Sequence, residues 1–153
     1  MKLAIATAAA MVAGMSAPTD AAPPRPAVEH FPAPVLNGRA PPFSSAVRVG
    51  DVLYLSGQIG IGADGKLPDG IEAQSKQALD NIGAVLKRAG LSYGDVLHCT
   101  AFLSDMKNWP AFNTVYVPYF SEGKRPARSA FGANGLALGA LLELECQAYA
   151  GKK

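Results

Sequence analysis

The chain lacks any run of basic residues: no more than two Lys or Arg are adjacent, and 14 basic against 12 acidic side chains leave a formal charge of +2. That balance provides no electrostatic footprint for a nucleic-acid backbone. It also lacks apolar stretches of the length that repeated membrane spans require, which excludes a protein embedded in a bilayer through its bulk. Cysteine and histidine are scarce, at two each, too few for a clustered metal-ligand set. Of the two histidines, His98 lies beside Cys99 in a strand and His30 in a Pro-rich stretch, and neither reads as a general base. What is there fits one compact domain with an ordinary core: 153 residues, 49% of them hydrophobic and 17% charged.

The first residues are composed differently from the rest. Lys2 precedes an uncharged run of small and apolar residues from Leu3 to Met15, followed by a Pro-rich tail, the layout of a secretory signal peptide. The expected divisions are a signal peptide over 1–21, cleaved after Ala21 or earlier after Ser16, a Pro-rich extended arm over 22–41, and a folded domain over 42–150. The expected location is outside the cytoplasm, in a periplasm, with no membrane attachment once the signal is removed.

Along the domain, "AVRVGDVLYLSGQIGI" reads as two strands joined by a Gly50-Asp51 turn. In "IEAQSKQALDNIGAVLKRAG" the apolar residues Ile71, Ala78, Leu79, Ile82, Val85, Leu86 and Ala89 recur at helical steps up to the stop at Gly90. Strand signals return in "DVLHCTAFLSD". A second helix follows from an N-cap at Asn108, burying Phe112, Val115, Tyr116 and Tyr119, and Pro118 kinks or ends it. The strands "ARSAFGA" and "LLELECQAYA" complete the chain. The pattern is that of an α+β domain, one sheet with two helices on one face, whose other face needs a partner. The cysteines sit in alternating apolar runs, Leu97, Cys99, Ala101 and Leu103 in one strand and Leu142, Leu144, Cys146 and Ala148 in another. Two buried free thiols are expected, and a disulfide requires that the two strands be neighbours, which the sequence leaves open.

In the last strand a period of two sets Glu143, Glu145, Gln147 and Tyr149 opposite the apolar residues, so Glu143 points away from the monomer core. Arg128 lies fifteen residues earlier, at the head of a strand that could neighbour the last. A guanidinium fork suits a planar carboxylate held by two parallel hydrogen bonds. The plainer alternatives are a solvated face for Glu143 and a surface or intersubunit salt bridge for Arg128, with Glu143 itself as one partner to consider.

These residues carry a resemblance. "PPFSSAVRVGDVLYLSGQIG", "QALDNIGAVLKRAG", "FNTVY", and above all "RPARSAF" followed by "LELE" resemble the RidA/YjgF family of reactive intermediate deaminases, also called the endoribonuclease L-PSP family. The resemblance implies a chorismate-mutase-like fold assembled as a homotrimer, with sites in the clefts between subunits. It places the family's carboxylate-binding arginine on Arg128 and its water-activating acid on Glu143. Substrate contacts fall on Ser56, Gly57, Asn113 and Ala130, the last where many members have cysteine, and on Phe43, where they have tyrosine. The implied reaction is hydrolysis of a small carboxylate-bearing imine, or its enamine tautomer, to a 2-oxo acid and ammonia, with no cofactor and no metal. The competing reading is a non-catalytic trimer that binds small carboxylates or a protein partner; a ribonuclease finds no support in basic residues or a histidine pair.

Overall fold

The computed structural model describes residues 24–35 and 38–152; the expected signal peptide lies outside the described residues. Among the described residues seven strands and two α-helices follow one another as β1 (Val28–Pro32), β2 (Ser44–Val49), β3 (Val52–Leu55), β4 (Gln58–Ile59), α1 (Ile71–Arg88), β5 (Val96–Leu103), α2 (Trp109–Tyr116), β6 (Ala127–Gly132) and β7 (Leu142–Tyr149). They form one sheet of order β1-β2-β3-β7-β5-β6, with the short β4 also paired to β7. All pairings are antiparallel except β5 with β6. That parallel pair requires a crossover, and α2 lies within it.

The arm is more ordered than its composition implies. Val28–Pro32 pairs with β2 at the sheet edge, and the register slips between Phe31 and Pro32, where proline has no N–H to continue the ladder. Arg88 of α1 donates from Nη2 to the Pro32 carbonyl at 2.8 Å and ties the arm to the helix.

Helix α1 buries Ile71, Ala78, Leu79, Ile82, Val85 and Leu86 on one stripe. It stops where Gly90 takes φ +73°, a conformation that costs glycine little, and the Leu91 N–H returns to the Leu86 carbonyl at 2.9 Å. The second helix begins differently from expectation. Asp105, in extended backbone, accepts from the Lys107 N–H at 2.9 Å and caps a 3-10 turn over Met106–Asn108. Asn108 already has helical angles and makes no cap bond, because a capping side chain needs a non-helical backbone to reach the next turn. Pro118 ends α2 by passing the chain into a 3-10 turn, Val117–Tyr119.

In β7 the alternation holds: Leu142, Leu144, Cys146 and Ala148 are buried, Glu145, Gln147 and Tyr149 are exposed, and Glu143 is half-buried. Burying each such leucine contributes about 2 kcal/mol. In β5 a register shift between Val96 and His98 turns Leu97 outward, 49% exposed. Val96 takes the buried position expected of Leu97, because a bulge inserts one residue and reverses the alternation. Beyond it Cys99 lies directly opposite Cys146, and the two form a disulfide with Cα atoms 4.1 Å apart. The expected free thiols are thus replaced by a cross-strand bond, since β5 and β7 are neighbours.

The face away from the helices carries Tyr54, Phe102, Phe131 and Tyr149. Phe131 is 55% exposed, and its ring lies 6.3 Å from that of Phe102. Among the described residues nothing covers this face.

Candidate active site

Between β3 and β4 the chain breaks its strand at Ser56 and Gly57. Ser56 Oγ donates to the Ser44 carbonyl at 2.7 Å, leaving its lone pairs to accept. Gly57 lies against the Glu143 side chain so closely that a Cβ there would collide with the carboxylate; only glycine permits this approach. Phe43, 55% exposed, stands at the same place. Together with Ile59 and Ala137 these residues line a cleft of about 340 Å³. Glu143 makes no hydrogen bond or ion pair with any described residue, so its oxygens are free to accept from a ligand or a water. Ile59 and Ala137 carry no chemistry that the sequence could flag; Ile59 reaches the cleft because β4 pairs with β7 through Ile59 and Glu143, and Ala137 reaches it from the 3-10 turn that precedes β7.

Arg128 is elsewhere. In the parallel ladder it pairs with Cys99, whose side chain is buried on the helix face, and partners in a ladder project to the same face. Its guanidinium carbon lies 4.5 Å from the Tyr116 ring centre, 5.2 Å from that of Trp109 and 5.3 Å from that of Phe112. Trp109, Phe112 and Tyr116 follow i, i+3, i+7 spacing on α2, so one stripe of the helix builds an aromatic shelf for this cation. No carboxylate among the described residues pairs with Arg128. Asn113 shares that stripe, and its Oδ1 is buried without a partner, as is the Tyr116 hydroxyl. Burial pushes the Tyr116 hydroxyl up to about 12, partly opposed by the Arg128 charge. Ala130 pairs with the buried Ala101 and so lies on the Arg128 face.

The seven expected site residues therefore form two groups. Phe43, Ser56, Gly57 and Glu143 share one cleft, while Arg128, Asn113 and Ala130 belong to the helix side of the sheet's far edge. The strands of Arg128 and Glu143, which could have been neighbours, are separated by β5, and the two side chains form no ion pair within one chain. Sheet spacings of about 4.8 Å between strands and 3.3 Å along them put their Cα atoms roughly 14 Å apart, and their side chains leave from opposite faces.

The Endoribonuclease L-PSP family profile matches residues 37–150. The chain belongs to the RidA/YjgF (endoribonuclease L-PSP) family. It is similar to the mouse 2-iminobutanoate/2-iminopropanoate deaminase, 39% identical over 112 residues that cover 72% of this chain and 82% of the mouse protein. A RutC family protein of Pyrococcus horikoshii is 41% identical over 110 residues, covering 71% of this chain and 86% of that one. Among solved structures, RidA from the Antarctic bacterium Psychrobacter sp. superposes with a TM-score of 0.69 at 35% identity, over 78% of this chain and 94% of that one. Yeast Mmf1 superposes with a TM-score of 0.73 at 32% identity, over 82% and 100%. The α+β fold of one mixed sheet and two helices is thus that of the RidA proteins.

Proposed function

We propose that this RidA protein hydrolyses 2-imino acids, and their enamine tautomers, to 2-oxo acids and ammonia at sites completed between the subunits of a homotrimer. The observation that carries the proposal is the division of the site. A free guanidinium and a free carboxylate stand on opposite faces of one sheet, too far apart for one small substrate. A second copy that sets its Arg128 edge against the Phe43–Glu143 cleft joins the two halves, and the uncovered aromatic face supplies a surface for such association. The similarity to the mouse deaminase supports the reaction class.

In the joined cleft the Arg128 fork holds the substrate carboxylate by two charge-assisted hydrogen bonds. Asn113 Oδ1, buried and unpartnered, accepts from the imine N–H or from a bound water. The C=N carbon is then placed beside a water that Glu143 orients. As the water oxygen bonds to that carbon, its proton passes to Glu143 and on to the imine nitrogen, and a carbinolamine forms. A second proton transferred from the hydroxyl to nitrogen through the same carboxylate releases ammonia and leaves the C=O of the 2-oxo acid. Proximity and one positioned base account for the steps.

We further propose that the chain is exported, on the composition of its leader and on the buried Cys99–Cys146 disulfide, a bond that persists in oxidising compartments. N-terminal sequencing of protein recovered from a periplasmic extract checks this: a mature chain that begins near Ala17 or Ala22 agrees, and a retained Met1 contradicts it. For the reaction, 2-iminopropanoate and 2-iminobutanoate generated by an amino-acid oxidase are the substrates. The wild type accelerates 2-oxo acid formation and Arg128→Ala and Glu143→Gln do not; equal rates with and without protein would rule the activity out.

A further inference from the structure

A second cleft, of about 680 Å³, opens beside the one that holds Glu143. The two share Phe43, Gly57, Ile59 and Ala137, so a ligand in the first has direct access to the second. The arm contributes Pro34 and Pro41, α1 contributes Ala84 and Val85, and the loops after β4 and before β7 contribute Ile61 and Leu138. Leu138 has φ +58°, a left-handed conformation unusual for a side chain branched at Cγ, and is 72% exposed. The loop thus holds an apolar group at the cleft in a backbone state that glycine would adopt more readily, and such a state points to use at a site.

Most polar side chains around this cleft are already engaged. Asn81 Nδ2 donates to the carbonyls of Ile59 and Ile61 at 3.1 and 3.0 Å, and its Oδ1 accepts from Gln77 Nε2 at 2.9 Å. Gln58 Nε2 donates to the Ser56 carbonyl at 3.0 Å, and Arg88 is tied to Pro32. An apolar group entering here would displace water without separating these donors from their partners. The volume lies within the usual span of small-molecule sites, roughly 300–1,000 Å³, and greatly exceeds a methyl or ethyl substituent.

Resting on the deaminase reading, we propose that this cleft is a side-chain pocket and that the protein selects 2-imino acids with a large apolar substituent, branched aliphatic or aromatic. Phe43 is the shared wall between the reacting centre and the pocket. The reaction is unchanged: water is consumed and ammonia leaves.

Binding of the product class reads the pocket without requiring turnover. Calorimetric titration with pyruvate, 4-methyl-2-oxopentanoate and phenylpyruvate is expected to show the two larger acids binding about tenfold or more tightly than pyruvate. Ala84→Phe, at an exposed helix position, fills the pocket and removes that advantage while pyruvate binding stays unchanged. Leu138→Gly, whose backbone there suits glycine, weakens only the larger acids, by several-fold. Equal affinities for all three acids in the wild type, or selectivity unaltered in both variants, would overturn the pocket. So would a change in sedimentation of Ala84→Phe with selectivity retained, since the cleft would then be a subunit contact. Rates with imines generated from alanine and leucine separate the two proposals: deamination without size selectivity retires the pocket alone, and selective binding without deamination retires the reaction alone.

Discussion

Arg128 is the next residue across the sheet from Cys99, on the rung that the disulfide to Cys146 closes. The covalent bond thus joins the two central strands at the level where the edge strand presents its guanidinium, and links the stability of the sheet to the position of that cation.

Removing the disulfide should therefore cost both stability and activity. The bond closes a separation of 47 residues, for which chain entropy predicts roughly 4 kcal/mol as an upper figure. Cys99→Ala/Cys146→Ala is expected to unfold at markedly lower denaturant concentration, and thiol reduction of the wild type should have the same effect. A midpoint that does not move would mean that the bond contributes nothing.

Sites shared between subunits make a sharper prediction than single variants do. Arg128→Ala and Glu143→Gln are each expected to be inactive, yet unfolding and refolding them together in equal amounts should restore about one quarter of wild-type activity, because one ordered pair of neighbours in four supplies both native residues. A mixture as inactive as its components would place both residues in one subunit's site.

Gly57→Ala tests the close approach to Glu143. The added Cβ meets the carboxylate, so the glutamate must turn away from the cleft. The clash falls on the end of a flexible side chain beside an open cleft, so the fold itself is little disturbed. The expected result is a kcat lowered at least about tenfold in a protein that keeps its circular dichroism spectrum. Unchanged kcat would show that the orientation of Glu143 does not matter.

At high pH three tyrosines act as the weak point. Burial raises Tyr93 well above its usual range, helped by neighbouring Tyr119 and Asp80. Burial also raises Tyr116 to about 12, and burial with a hydrogen bond to Asp80 raises Tyr119 to about 12. Each ionises more easily unfolded, near pH 10, than folded. The stability tied to their neutral forms is complete below pH 10 and is lost as the pH climbs from 10 through 12. Denaturant midpoints should be flat below pH 9 and fall steeply above 10, with tyrosinate absorbance rising together with loss of structure. Tyr93→Phe, which removes the bond from its hydroxyl to the Leu79 carbonyl, should lower stability by about 1 kcal/mol at neutral pH and reduce the alkaline fall.

Much of this protein was readable along the chain because local chemistry decided it. The helical spacing from Ile71 to Leu86, the stop at Gly90, the break at Pro118 and the two-residue alternation of β7 all arise from neighbours within a few positions, and they sufficed to define an α+β domain with one face of its sheet uncovered. Arg128 and Glu143 were conspicuous for the same reason, as ionic groups at the heads of apolar strands. The failures were of another kind. Asp105 caps the 3-10 turn that leads into the second helix and Asn108 makes no cap bond, because backbone angles select the cap while the residue types alone permit either. Leu97 turned outward because a bulge adds one residue, which no periodicity announces. The pairing of Cys99 with Cys146, the insertion of β5 between the strands of Arg128 and Glu143, and the placing of those two on opposite faces were decided only by tertiary structure. Strand order is set by which long-range pairings bury the most surface at the least loop entropy, a property of the whole chain at once that no local stretch of residues encodes.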